Sequence, residues 1–94
     1  MSVKKLFDLT GKVALITGGS RGLGLQMAEA LGEMGAKVAI TARKADELKE
    51  AETHLKAKGI EVLTVSNDLS KFKQIPGMVD AVLAKFGTID ILVN

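Results

Sequence analysis

Apolar positions in this chain alternate between short continuous runs and helical stripes. Residues 12–17 (Lys-Val-Ala-Leu-Ile-Thr), 37–42 (Lys-Val-Ala-Ile-Thr-Ala) and 61–66 (Glu-Val-Leu-Thr-Val-Ser) are runs of β-formers, and residues 89–93 make a fourth. Between the first two, residues 22–34 place Leu23, Met27, Ala30, Leu31 and Met34 at the 3.6-residue period of a helix. Residues 44–58 read as a charged helix with Leu48, Ala51 and Leu55 on its buried face and Glu52–Lys56 as an i,i+4 pair. Gly35 and Gly59 stand where these helices should stop. A third helix ends at about Phe86, with Ile75, Val79, Val82, Leu83 and Phe86 in phase. Ser70 is a candidate cap for it, and Pro76-Gly77 predicts either a kink or a start near Pro76.

The resulting order, βαβαβαβ with short links, predicts an α/β fold. A parallel sheet would carry helices on both faces through right-handed crossovers. Strands that are apolar almost throughout fit a sheet buried on both sides. Repeats, linkers and low-complexity stretches are absent, so residues 1–94 read as one domain, a truncated doubly wound, Rossmann-like fold.

The segment Thr17-Gly18-Gly19-Ser20-Arg21-Gly22-Leu23-Gly24 joins the first strand to the first helix. A strand, a glycine-rich turn and a helix N-terminus together make a phosphate-binding device. The first helical N–H groups are free and partly positive, and glycine lets a pyrophosphate approach the backbone. The spacing is T-G-x-x-x-G-x-G. Met27 stands where G-x-G-x-x-G needs its last glycine, and Leu25-Gln26 stands where a P-loop needs Lys-Ser or Lys-Thr.

Composition narrows the chemistry. About half of the 94 residues are apolar, yet only three, all Phe, are aromatic, so aliphatic side chains must build the core. A net charge of +2, with lysines mixed among acids, gives no footprint for nucleic acid or an acidic membrane. Without cysteine there are no disulfides or thiolate metal sites, and the lone His54, read as solvent-facing, cannot form a metal cluster. No apolar run is long enough for a membrane span, and Lys4-Lys5-Leu6-Phe7-Asp8 lacks the core of a secretory leader. The expectation is a soluble cytoplasmic protein. Asp90 is expected to pair locally.

The glycine pattern resembles the short-chain dehydrogenase/reductase family. So do Leu9-Thr10-Gly11-Lys12 leading into the first strand, Asp68-Leu69 after the third, and Asn94 after the fourth, where the family carries Asn-Asn-Ala-Gly. A weaker similarity is to 3-oxoacyl-carrier-protein reductases and gluconate 5-dehydrogenase-like members. The resemblance implies the N-terminal part of an enzyme of roughly 250 residues, a typical domain length. That enzyme would move a hydride between a nicotinamide cofactor and a small alcohol or carbonyl compound, and family members are often homo-oligomers.

The resemblance also implies cofactor-binding roles. Gly18, Gly22 and Gly24 would shape the turn, with the Leu23 N–H near the pyrophosphate. Ser20 and Arg21 would line the ribose and phosphate of the adenosine half. Asp68 and Leu69 would meet the adenine, and Asn94 would sit at the mouth of the crevice between strands one and four. Asp68 could equally cap the next helix, and Asn94 could be a frayed terminus. Arg43 ends strand two, where NAD-binding members usually hold an acid. With Arg21 it makes a physical case for NADP, NAD being the alternative. Catalysis in the family uses Ser, Tyr and Lys from beyond strand four, and this chain has no tyrosine at all. No catalytic or metal-ligating residue is therefore assigned. The remaining readings are a nucleotide-binding module without chemistry, and an interaction fragment that self-associates through the edge of strand four.

Overall fold

The computed structural model describes residues 8–68 and 70–94. Strand β1 (Val13–Thr17) leads to helix α1 (Gly22–Glu33), β2 (Lys37–Ala42), helix α2 (Ala45–Ala57) and β3 (Val62–Ser66). A 3-10 turn (Phe72–Gln74) then enters helix α3 (Ile75–Phe86), and β4 (Ile91–Val93) follows. The four strands form one parallel sheet in the order β3-β2-β1-β4. This is the expected α/β, Rossmann-like arrangement, and the order reverses between β1 and β4.

Alternating strand residues feed two cores. Ala14, Ile16, Val38, Ile40 and Val62 face α1 and α2, where they meet Ala28, Leu48, Ala51 and Leu55. Val13, Leu15 and Ala39 face the opposite side, under Met78 and Val82 of α3. Burial on both faces explains why the strands lack polar alternation. Helices α1 and α2 end alike, in Schellman motifs. Gly35 N–H donates to Gly32 O (3.0 Å) and Ala36 N–H to Leu31 O (3.1 Å); Gly59 N–H donates to Lys56 O (2.9 Å) and Ile60 N–H to Leu55 O (3.2 Å).

The buried face of α1 differs from the expected stripe. Leu23 is 73% exposed and Met34 40%, whereas Ala28 is fully buried. Gly24, Ala28 and Gly32 recur every four residues and form the contact face, flanked by Leu25 and Leu31. A Cβ at Gly32 would stand 2.6 Å from Ile60 Cγ2. The hydrophobic period missed this face because its residues are too small to register as apolar.

Other local expectations are also corrected. Ser70 does not cap α3: Gln74 occupies the cap position without a side-chain bond, and Pro76 lies in the first turn. Strand β4 starts at Ile91, two residues later than expected, and Ile89 before it packs against the second core. Asp90 pairs far along the chain. Its N–H donates to Val13 O (2.8 Å), and Val13 N–H donates to Asp90 Oδ2 (2.9 Å). His54 is exposed, as expected, and its Nε2 also lies 2.8 Å from Glu29 Oε1 on α1. That contact, with Lys58 Nζ at 3.2 Å, holds the Glu29 carboxyl below the usual range. Its contribution to stability is present above the ordinary glutamate range and is lost as pH falls through the depressed value. The Glu52–Lys56 pair forms as expected, at 2.9 Å.

Replacing Gly32 by Val should destabilise the fold by about 1–3 kcal/mol through overpacking against Ile60. Ile60→Ala alone should cost about 2–5 kcal/mol. The double variant should lose at least about 1 kcal/mol less than the two single losses together, because the valine fills the space the isoleucine leaves. Urea unfolding midpoints of the four proteins check this.

Candidate functional site

The site is built where β1, β2 and β3 end. Gly18 and Gly19 N–H groups both donate to Thr41 O, at 2.8 and 3.2 Å, which pins the glycine turn to the end of β2. Gly22 has φ +59°, a conformation that a branched side chain would strain. A Cβ at Gly24 would overlap the Gly18 carbonyl, so only glycine lets α1 start this close to the turn. Arg21 is the N-cap of α1, in extended conformation and with no side-chain cap bond; the first turn carries no acid. The first intrahelical bond is Leu25 N–H to Arg21 O, 3.4 Å. The N–H groups of Gly22, Leu23 and Gly24 have no acceptor among the described residues and lie in a positive helix-end field.

Beside the turn lies an open cavity of about 490 Å³. Gly18, Ser20 and Arg21 form one wall, Thr41 to Lys44 and Glu47 a second, and Asn67, Asp68 and Ser70 a third. The structure therefore brings together five expected residues: Gly18, Ser20, Arg21, Arg43 and Asp68. Gly22, Leu23 and Gly24 belong to the adjoining helix start. Asn94 stands at the end of β4, where Thr17 Oγ1 lies 3.1 Å from its Oδ1. Leu69 lies outside the described residues.

Asp68 does not cap α3. Its Oδ1 accepts from Ser70 Oγ (2.7 Å) and Ser70 N–H (3.0 Å). These bonds, aided by the charges of Arg43 and Lys71, hold its carboxyl below the usual carboxylate range. It is consequently an ionised acceptor at neutral pH. Gln74 braces the same segment from below: its Oε1 accepts from Asp68 N–H (2.9 Å), and its carbonyl accepts from Asn67 Nδ2 (3.0 Å). Asn67 Oδ1 is buried with no partner among the described residues. Arg43 is exposed at the rim, while Arg21 Nη1 lies 3.4 Å from Glu47 Oε1.

Sequence reasoning missed Lys44, Glu47, Asn67 and Gln74. Lys44 and Asn67 sit beside residues already chosen, so strand-end position was an available signal. Glu47 and Gln74 carry none, since their relevance depends on which way a helix start faces. Among the described residues no group of three or more His, Cys, Asp or Glu could hold a metal ion, and no helix is long and apolar enough to cross a membrane.

A family model for short chain dehydrogenases matches residues 12–94. Gluconate 5-dehydrogenase from Gluconobacter oxydans is 38% identical over 94 residues, all of this chain and 37% of that protein. Among solved structures, a short-chain type dehydrogenase/reductase from Mycobacterium marinum superposes with a TM-score of 0.91 at 42% identity, over 98% of this chain and 37% of that one. L-sorbose reductase from Gluconobacter frateurii, solved with NADPH and L-sorbose, gives 0.87 at 43% identity, over 93% and 34%. The chain spans 7% to 37% of the length of four curated relatives that it matches.

Gln74→Ala should speed exchange of the Asp68 amide hydrogen by about fivefold, as expected for loss of a bond worth ~1 kcal/mol. The Asn67 amide, bonded to Ala42 O at 2.9 Å, should keep its protection. Hydrogen exchange followed by NMR separates the two.

Proposed function

The chain belongs to the short-chain dehydrogenase family, and we propose that it forms the NADP(H)-holding part of an oxidoreductase acting on a carbonyl or alcohol group. The observation that carries the choice of cofactor is the pair Arg21 and Arg43. They stand on two walls of one cavity at the ends of β1 and β2, where no acid occupies the end of β2. A ribose 2′-phosphate would meet two guanidinium groups there, while a bare 2′-hydroxyl would find no carboxylate at the strand end. The NADPH in the L-sorbose reductase structure is consistent with that choice.

The residues present fit such a group. The unpaired first-turn N–H groups of α1 would receive the pyrophosphate, and the missing Cβ of Gly22 leaves the approach open. Asp68 would accept from the adenine amino group. Asn94 would mark the nicotinamide end, at the switch point between β1 and β4. A nicotinamide cofactor supplies or accepts the hydride; these residues hold and orient it. The tyrosine that the family uses as acid and base has no counterpart among the 94 residues.

Gly22→Val should abolish NADP⁺ binding in calorimetric titration while circular dichroism still reports a folded sheet. Unchanged affinity would mean that the turn is not the phosphate site.

Arg43→Asp should shift preference from NADP⁺ toward NAD⁺. One charge-assisted contact contributes about 1.5–3 kcal/mol, roughly tenfold to a hundredfold. Arg21 remains, so the expected result is a shift and not a full reversal. A ratio of affinities that moves less than about threefold, measured at one salt concentration, would remove the main support for NADP.

A further inference from the structure

We propose that Glu47 is a specificity-determining residue of this cavity: its carboxylate competes with a 2′-phosphate for Arg21 and so limits the preference for NADP over NAD. The inference rests on the reading of Arg21 and Arg43 as phosphate partners.

Arg21 projects from the turn with 80% of its side chain exposed, and the group it reaches is Glu47 Oε1 at 3.4 Å. Glu47 is only 26% exposed and lines the cavity. A carboxylate in the first turn of α2 needs no special explanation, because the helix dipole favours one there. Asp46 satisfies that dipole equally well, however, and it is exposed and does not line the cavity. Glu47 is the first-turn acid that faces the turn between β1 and α1.

Charge around the cavity makes the effect matter. Arg21, Arg43 and Lys44 face Glu47 and Asp68, so one net positive charge remains for a phosphate dianion. Asp68 is already engaged by Ser70, and Glu47 is engaged by the guanidinium that the phosphate needs. A guanidinium has enough donors to serve two anions. Doing so sets a carboxylate beside a phosphate, and like charges at that range repel. Exposed ion pairs are weak and screened by solvent, so Glu47 lowers phosphate affinity without locking Arg21 away.

The test titrates the full chain, wild type and Glu47→Gln, by calorimetry with NADP⁺, NAD⁺, 2′,5′-ADP and 5′-AMP at fixed ionic strength. The variant should gain about threefold to tenfold for NADP⁺ and 2′,5′-ADP, equivalent to ~0.7–1.4 kcal/mol, and change less than twofold for NAD⁺ and 5′-AMP. In an Arg21→Gln background the gain should fall below twofold, which a purely structural role of Glu47 would not produce. Glu47→Ala should move in the same direction, which guards against a fault peculiar to glutamine. No gain for 2′,5′-ADP, or an equal gain for NAD⁺, overturns the proposal. A wild type that binds NAD⁺ at least as tightly as NADP⁺ instead overturns the cofactor reading, and the 2′,5′-ADP comparison still decides the role of Glu47.

Discussion

The arrangement at the ends of the strands depends on how closely α1 can lie against the turn that launches it. At Gly24 any side chain would collide with the Gly18 carbonyl, and the same approach continues along the helix through Ala28 and Gly32. This spacing allows Thr41 O to take both the Gly18 and Gly19 amides while the start of α1 stays beside the ends of β1 and β2. A bulkier contact face would push the helix start away from the cavity, and its free N–H groups would no longer adjoin the residues of β2 and β3. The small residues thus set the packing of one core and the position of an uncapped helix end together.

Much of this was legible in the chain. Strands β1 to β3 were placed within a residue because uninterrupted aliphatic runs mark strands buried on both faces. The glycine turn was recognisable from its place between strand and helix, Arg43 from the end of β2, and Arg21 and Asp68 through the resemblance to the family. The face of α1 was not, since hydrophobic periodicity weighs side-chain size and the true contacts are Gly24, Ala28 and Gly32. Ser70 looked like a helix cap but serves Asp68 instead. Gln74, Glu47 and Asp90 act through partners that no local pattern connects to them.

The cavity is also an electrostatic compromise. Arg21 has Glu47 beside it, Arg43 feels Asp68, and the surplus of charge is small. Both carboxylates sit where backbone geometry independently favours them, one in a first helical turn and one bonded to a serine two residues on. The cations have no such local reason to be there. Their position follows from the ends of β1 and β2, so the sheet arranges the attraction and the connecting segments temper it.

The reciprocal bonds between Asp90 and Val13 join residues 77 apart in the chain. β1 pairs with β2 across a far shorter loop, and closing a short loop costs less chain entropy than closing a long one. The pairings of β1 with β2 and of β2 with β3 can therefore close at a lower entropic cost than the contact with Asp90. The central strand then keeps one open edge until Asp90 arrives. Until Asp90 docks, the crevice between β1 and β4 has only one of its two banks, so the switch point of the sheet depends on a contact that spans most of the chain.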